Sequence, residues 1–228
     1  MRYIGVDLAW KCVDPEPLNT AVCIMDELAM VQTKRVTWDE EILALIEREG
    51  DCLVGIDASL TVPNRSGMRC TEKLVRQMGI NILPTSKYYL SEKFGGSRGE
   101  RMVHSLCLHG FRMAKPLDRS GRLIYEVYPH ASVRAILGRH HYKHGRLEDR
   151  RRGCVELFRA IKVQNPEVLL PEGFEASIVN SDSSGIKGIA DMLDSMLCSI
   201  SLYRHAIYRG QTTQMIGDED NGFILVCR

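Results

Sequence analysis

The sequence predicts a mixed α/β sheet with helices on both of its faces. Three short apolar segments near the N-terminus are joined by short links, which is typical of antiparallel neighbours. The later strands are separated by helical segments, and crossovers of that kind allow strands to return parallel. The longest helical segment, 186–208, has one apolar face, which must be buried against another layer.

Each element is predicted from its local pattern, with apolar runs indicating strands and 3.6-residue apolar spacing indicating helices. Thr37 and Glu40 fit a capping box at the start of the first helix, and Gly50 ends that helix. Pro129 stops the strand that precedes it. The order is strands at 3–9, 20–26 and 30–36, a helix from 37 to 50, a strand at 52–57, helices near 69–78 and 99–114, a strand at 122–128, helices at 147–163 and 186–208, and a strand at 223–226.

Composition is that of one globular domain over residues 1–228, with a helical insertion around 66–120. Hydrophobic residues make up 44% and charged residues 26%, which excludes a disordered or coiled-coil chain. No apolar run approaches the roughly 18 residues that span a bilayer, and the N-terminus lacks a signal-peptide pattern. The eight cysteines contain no C-x-x-C pair. We therefore expect a cytoplasmic protein without a membrane partner.

Charge is distributed unevenly although the formal net charge is only +1. The segment 134–162 contains nine Lys and Arg residues against three acids, and it includes His140, His141 and His144. Such a segment beside a cleft can bind phosphates. It is equally the pattern of a solvated helix start with no partner, and charge alone leaves both interpretations open.

Three predicted strands carry one carboxylate each near their C-terminal ends, namely Asp7, Asp57 and Glu126. Acids are poor strand residues and are rarely buried unpaired. In an open α/β sheet, the carboxyl ends of parallel strands form the ligand-binding edge. Gly5 and Gly55 precede two of the acids on the same strand face, where we expect them to leave open space.

The long C-terminal helix adds Asp191 and Asp194, whose i, i+3 spacing places them on one side of the helix. Like charges beside an apolar face repel each other unless a cation neutralises them. Mg²⁺ and Mn²⁺ prefer oxygen ligands, and a cluster of three to five acids can hold two ions about 4 Å apart. Taken singly, each of these acids could instead be a helix cap or a salt-bridge partner.

Four motifs occur in order along the chain. They are Ile4-Gly5-Val6-Asp7-Leu8-Ala9-Trp10, Gly55-Ile56-Asp57-Ala58-Ser59-Leu60, Glu126-Val127-Tyr128-Pro129-His130-Ala131 and Asp191-Met192-Leu193-Asp194-Ser195-Met196-Leu197. In this order they resemble domain-of-unknown-function family 429, whose members are predicted nucleases of the ribonuclease H-like fold. The segments Tyr142-Lys143 through Arg151 and Gly217 to Ile224 also resemble the family. The resemblance spans almost the whole chain, apart from residues 81–121.

The resemblance implies a ribonuclease H-like fold and a carboxylate-bound pair of Mg²⁺ or Mn²⁺ ions. Asp7 would bridge the ions, Asp57 or Glu126 would hold one of them, and Asp194 with Asp191 would complete the set. His130 could assist catalysis or cap a helix, and Trp10 could stack on a base or serve only in packing. The residues implied to neutralise backbone phosphates are Lys143, Arg146, Arg150 and Arg151.

The leading hypothesis is a metal-dependent nuclease whose partner is nucleic acid. A non-catalytic nucleic-acid-binding or scaffold protein of the same fold is one alternative. An ATP-binding phosphotransferase of the actin and sugar-kinase group is another. The segment after Trp10 argues against ATP, because Lys11 to Pro17 contains no glycine and two prolines, which cannot donate backbone hydrogen bonds to phosphate.

Overall fold

The computed structural model describes residues 1–12, 19–138 and 141–228. Within these ranges, eight strands form one mixed sheet. The strands are β1 (Arg2–Asp7), β2 (Thr20–Met25), β3 (Val31–Val36), β4 (Cys52–Asp57), β5 (Arg112–Met113), β6 (Leu123–Val127), β7 (Thr213–Asp218) and β8 (Gly222–Cys227).

The strand order places the strands that carry acids at the centre of the sheet. It reads β3-β2-β1-β4-β6-β8-β7, and the short β5 pairs parallel with β6. β1, β2 and β3 are antiparallel neighbours, whereas β1, β4, β6 and β8 run parallel. The predicted mixed sheet is therefore confirmed. β7, which the sequence did not predict, forms an antiparallel hairpin with β8.

Helices pack against both faces of this sheet. Because side chains alternate along a strand, Tyr3 and Ile4 of β1 belong to different apolar clusters. The Tyr3 cluster includes residues of α5, α6 and α8, and the Ile4 cluster includes residues of α1 and α4. The helices are α1 (Asp39–Glu47), α2 (Cys70–Gln77), α3 (Lys87–Phe94), α4 (Arg98–Leu108), α5 (Pro129–Leu137), α6 (Leu147–Gln164), α7 (Phe174–Asn180) and α8 (Gly185–Ile207).

The longest helix, α8, has a start defined by a side chain. Asp182 accepts hydrogen bonds from the backbone N–H groups of Ser184 and Gly185, at 3.0 and 2.6 Å. These donors have no partner inside the helix, so a carboxylate acceptor stabilises its first turn. The helix then packs against β1, β2 and β4. This packing brings the two aspartates of α8 close to the central strands.

Several predicted boundaries differ from the structure for local reasons. Pro129 ends β6 but also begins α5, because the first turn of a helix tolerates proline. The side chain that accepts hydrogen bonds from the N–H groups of Thr37 and Trp38 is Glu41, so the predicted capping box with Glu40 is wrong. The predicted helix at 99–114 ends at Leu108, and its remainder forms β5. The sequence also missed α3, α5 and α7.

The segment interpreted as a helical insertion contains α2, α3, α4 and β5. Among the described residues, no helix is both long and apolar enough to cross a membrane. Two features of the sequence analysis fall outside the described ranges. They are the segment Val13 to Pro17, on which the argument against ATP depends, and His140.

Candidate metal centre

Three aspartates meet at the carboxyl ends of the two central strands. Asp7 ends β1, Asp57 ends β4, and the two residues are register partners in this parallel pair. Asp194 approaches from α8. One carboxylate oxygen from each residue lies within 4.8 Å of the others. We call Asp7, Asp57 and Asp194 the acid triad, and its three oxygens form a donor set of the kind that hard divalent cations prefer.

Gly5 explains how α8 comes close enough to supply the third carboxylate. A Cβ atom at Gly5 would lie 2.0 Å from the backbone oxygen of Ser195 and 2.6 Å from the nitrogen of Ser199. The hydroxyl of Ser199 also donates to the backbone oxygen of Tyr3, at 2.8 Å. The expected open space beside Gly5 is therefore occupied by the backbone of α8, and this close approach places Asp194 beside Asp7.

The space beside Gly55 is also filled, but by side chains. A Cβ atom there would lie 2.8 Å from Cγ2 of Val127 and 3.0 Å from Cδ1 of Leu202. Neither glycine therefore leaves a cavity beside its acid, and the sequence expectation of open space is wrong at both positions. The two glycines instead permit close packing against the strands.

The ammonium group of Lys143 lies against the acid triad, although the side chain is 38% exposed. Its Nζ forms an ion pair with Oδ2 of Asp194. It also lies 3.8 Å from Oδ2 of Asp7 and 3.8 Å from Oδ1 of Asp191. The neighbouring Tyr142 hydroxyl donates a hydrogen bond to Oδ1 of Asp194. Both oxygens of Asp194 therefore have protein partners, and Asp191 joins the cluster through the lysine.

Close packing against α6 holds the Tyr142–Lys143 segment in place. A Cβ atom at Gly153 would lie 2.6 Å from the backbone oxygen of His141 and 2.9 Å from Cα of Tyr142. The Cys154 thiol donates to the backbone oxygen of Tyr142, at a sulfur–oxygen distance of 3.8 Å. Lys143 thus extends from a packed backbone and not from a free loop.

The electrostatics of the cluster show incomplete compensation of charge. Burial and, after it, the Asp194 carboxylate raise the pKa of Asp57 to about 7, although Lys143 opposes the rise. Burial also raises the pKa of Asp7 well above its usual range, and it raises the pKa of Asp191. For Lys143, burial lowers the pKa, but the carboxylates of Asp194 and Asp7 outweigh it and the pKa is raised. Among the described residues, the ammonium of Lys143 thus faces four carboxyl groups, those of Asp7, Asp57, Asp191 and Asp194.

Glu126 lies beside this cluster but is committed to different partners. Its two oxygens accept hydrogen bonds from Arg69, at 3.0 and 2.5 Å, and one also accepts from the Leu60 backbone N–H, at 2.9 Å. This geometry argues against the predicted role of Glu126 as a metal ligand, because its acceptor sites are used by a fixed cation. We therefore leave Glu126 out of the ligand set.

Arg69 connects Glu126 to a second buried carboxylate. Its Nε donates to Glu72, at 2.7 Å, and Glu72 also accepts from the Thr85 hydroxyl. The Thr85 oxygen lies 2.9 Å from the Ser59 hydroxyl. Since the Thr85 proton goes to Glu72, Ser59 must be the donor in that pair. We call these five residues the arginine network, and sequence reasoning missed all of them except Glu126.

A comparison with family models identifies the chain at this point. The family described as Protein of unknown function (DUF429) matches residues 5–221. The chain belongs to the DUF429 family. Searches of curated proteins and of solved structures found no match. Any activity of this DUF429 protein must therefore be inferred from the geometry of its own site.

Two depressions flank the acid triad of this DUF429 protein. The larger, which we call the lysine cleft, has a volume of about 390 Å³. The smaller, which we call the side pocket, has a volume of about 130 Å³ and contains Asp57 and Glu126 in its wall. Trp10 lines both, and its ring packs edge-on against Phe94 at a centroid distance of 5.3 Å. The lysine cleft is lined by Asp7, Leu8, Ala9, Trp10, Lys11, Asn19, Phe94, Lys143, Lys187 and Asp191.

Lys187 is a residue of this cleft that sequence reasoning missed. It lies on α8, four residues before Asp191, and therefore on the same side of the helix. That spacing was visible in the sequence. Lys187 lies outside the basic segment 134–162, which drew attention because of its high density of charge.

The other predicted binding residues of the DUF429 chain lie outside the triad contacts. Arg151 donates to the backbone oxygen of Ser181, at 2.8 Å, and pairs with Glu148. Arg146 is exposed at the start of α6, whereas Nε of Arg150 is buried without a hydrogen-bond partner among the described residues. His130 is half-buried, and burial lowers its pKa. Its ring centroid lies 5.9 Å from that of Tyr128.

Proposed function

We propose that this protein is a metal-dependent nuclease, a hydrolase of phosphodiester bonds, that uses Mg²⁺ or Mn²⁺ bound by Asp7, Asp57 and Asp194. The observation that carries the proposal is the acid triad itself. Three carboxylates from separate elements converge although burial and neighbouring carboxylates disfavour the charged forms of Asp7 and Asp57. A protein retains such an arrangement at a cost in stability, and a bound cation would relieve that cost.

We also propose that the sheet is ribonuclease H-like. The support is its central order β3-β2-β1-β4, with β2 antiparallel to both neighbours. The acids at the ends of β1 and β4 lie where open α/β sheets bind their ligands. The fold alone does not imply the activity, and the argument for hydrolysis therefore depends on the side chains.

The donor set fits a hard divalent ion, because it consists of carboxylate oxygens. When bound, such an ion lowers the pKa of a coordinated water and neutralises charge on a phosphoryl oxygen. The chain supplies the remaining functions. Asp7 and Asp57 hold two donors at the spacing of neighbouring strands, and Tyr142 fixes the orientation of Asp194 through its hydroxyl. Lys187 adds positive charge to the lysine cleft, where it can attract the phosphates of a nucleic acid.

The proposal is tested by titrating Mn²⁺ into the wild-type protein and the Asp7→Asn variant by calorimetry at pH 8 and low salt. The pH is chosen because Asp57, with its pKa of about 7, is then largely ionised. Wild-type protein should bind Mn²⁺ and the variant should not. Asp220→Asn is the matched control, since Asp220 is exposed in the turn between β7 and β8. This control should bind as wild type does.

Activity is then measured on single-stranded and duplex DNA and RNA with Mn²⁺ present. We expect cleavage that falls by roughly 10²-fold or more in Asp7→Asn and weakens as salt increases. Equal cleavage rates in Asp7→Asn and wild type would contradict the proposed site. So would cleavage that persists at the same rate in excess chelator.

A non-catalytic nucleic-acid-binding protein is the second candidate, and one observation favours it. Both oxygens of Asp194 already have partners in Lys143 and Tyr142, which gives part of the cluster a stabilising partner of its own. This candidate predicts oligonucleotide binding with the same affinity in Mn²⁺ and in chelator. Binding that requires Mn²⁺ would eliminate it.

A further inference from the structure

We propose that the ammonium group of Lys143 is a built-in cation that takes the place of a second metal ion, so that this centre binds a single divalent ion. The inference rests on the proposed metal site and specifies how many ions it holds. It differs from the two-ion arrangement that the sequence led us to expect.

The ammonium lies where charge from several elements converges. Nζ of Lys143 pairs with Asp194 and lies 3.8 Å from a carboxylate oxygen of Asp7 and 3.8 Å from one of Asp191. A cation that bridges acids from a strand end and from a helix performs the charge-neutralising part of a metal ion's role. Among the described residues, Asp57 is the triad member that forms no ion pair with Lys143. We therefore expect the divalent ion on the Asp57 side of the triad, away from the ammonium group.

A second ion would lack ligands of its own. Two-ion sites hold their metals about 4 Å apart and need carboxylates beyond those that bind the first ion. Within the described part of the chain, the two further acids near the triad are Glu126 and Asp191. Arg69 engages both oxygens of Glu126, and Lys143 lies against Asp191. Both candidates for the second position already face a cationic side chain.

The lysine is also held in a way that suits a permanent cation. Its neighbour Tyr142 is 5% exposed and donates to Asp194, and the backbone of the segment packs against Gly153. A side chain that merely screened the acids before metal arrived would not need a buried neighbour bonded to the same carboxylate. The lysine and the tyrosine each use one oxygen of Asp194, and each of these oxygens retains a second lone pair for the divalent ion.

The test counts manganese ions with and without the ammonium group. Mn²⁺ is titrated by calorimetry, and the bound ions are examined by electron paramagnetic resonance, in which two neighbouring Mn²⁺ ions give an exchange-coupled spectrum. Wild-type protein should bind one ion per chain with an uncoupled spectrum. Lys143→Met, which removes the charge and keeps the side-chain length, should bind two ions with a coupled spectrum. Lys187→Met is the matched control, because Lys187 lines the same cleft but forms no ion pair with the acid triad among the described residues. It should bind one ion.

Each outcome decides the inference. Two coupled ions in wild type would overturn it and leave the proposed nuclease standing, as would a single ion in folded Lys143→Met. No Mn²⁺ binding in wild type would overturn the proposed metal site and this inference together. If Lys143→Met fails to fold, the wild-type count still decides between one ion and two. Lys143→Arg, which retains a cation, should then fold and bind one ion.

Discussion

Two groups of buried acids lie side by side at the same edge of the sheet, and they are organised differently. In the arginine network, Glu72 and Glu126 share Arg69, which is 1% exposed and donates to both. Backbone N–H groups of Arg69 and Leu60 add further hydrogen bonds. In the acid triad, three carboxylates and the neighbouring Asp191 lie around the ammonium of Lys143.

The contrast separates a structural role from a functional one. Buried carboxylates with a bidentate arginine and backbone donors are satisfied, so they need nothing from solution. The carboxylates of the acid triad are not satisfied in this way, because burial and neighbouring carboxylates raise the pKa of Asp7 and of Asp57. Perturbed acids in a cleft are typical of functional sites. We therefore assign the arginine network to stability and keep ligand binding by the acid triad as the proposal to be tested.

The largest expected effect is loss of stability when Arg69 is replaced. Arg69→Met leaves Glu72 and Glu126 buried without their shared cation, and breaking such a pair typically costs about 3–5 kcal/mol. The free energy of unfolding, measured by denaturant titration, should fall by this amount. Arg159→Met is the control, since its pair with Glu175 is largely exposed. It should cost less than about 1 kcal/mol.

Equal stability losses in these two arginine variants would break the comparison, because the arginine network would then be no more important than a surface pair. A second result would also count against it. If folded Arg69→Met lost Mn²⁺ binding while retaining most of its stability, the network would have to be counted as part of the metal centre.

The second expected effect is a gain in the free energy of unfolding. Asp57→Asn should stabilise the metal-free protein at pH 8 by roughly 1–3 kcal/mol, because it removes a buried negative charge that Asp7 and Asp194 repel. The same variant should lose Mn²⁺ binding. Denaturant titration in chelator and in Mn²⁺ measures both effects. Destabilisation of the metal-free protein by Asp57→Asn would show that this carboxylate is a structural residue.

A pH series sharpens the same point. The pKa of Asp57 is about 7 in the folded state, above the ordinary value of 3.8, so the folded protein retains this proton to higher pH than the unfolded chain does. Its contribution therefore lowers the free energy of unfolding as the pH rises from about 4 to about 7. Denaturant midpoints in chelator should show wild type losing stability relative to Asp57→Asn between pH 5 and pH 8.

This comparison at matched pH is necessary because His205 acts in the opposite direction. Burial lowers the pKa of His205 to about 4, so its contribution to stability is lost as the pH falls from about 6.5 through 4. Both proteins contain His205, and its contribution cancels in the difference. A wild-type stability that stayed parallel to that of Asp57→Asn over this pH range would contradict the raised pKa.

The smallest expected effect lies at the end of the arginine network. Ser59→Ala removes the donor to Thr85 and should cost about 0.5–1.5 kcal/mol. Metal affinity should be unchanged, because Ser59 has no contact with the triad oxygens. A measurable loss of Mn²⁺ affinity in Ser59→Ala would show that the network and the triad act as one unit.

The sequence predicted those features that follow from local patterns. The strands that end in Asp7 and Asp57 were visible as apolar runs closed by an acid, and the sheet edge where they meet followed from parallel pairing. The i, i+3 spacing of Asp191 and Asp194 placed both on one side of a helix. Each of these inferences needed only residues close together in the chain.

The remaining features depend on contacts between distant segments. Glu126 resembles Asp57 in its strand position, and only the arrival of Arg69, 57 residues away in sequence, commits it to a salt bridge. Lys143 belonged to a basic segment, and its partners on α8 lie about 50 positions further along the chain. Gly5 shows the same limit, because the atoms that fill the space beside it belong to α8. Local patterns do not contain this information.

The pairing of β1 with β4 has a consequence for which ions the centre can accept. Asp7 and Asp57 are attached to neighbouring parallel strands, whose separation of about 4.8 Å is set by backbone hydrogen bonds and is nearly invariant among proteins. Asp194 is attached to α8, whose close approach to β1 requires that position 5 carry no side chain. Two donors thus have a constant spacing and the third is adjustable. Selectivity between ions of different radius would then evolve through changes in the distance between α8 and β1, while the spacing of the strands stays unchanged.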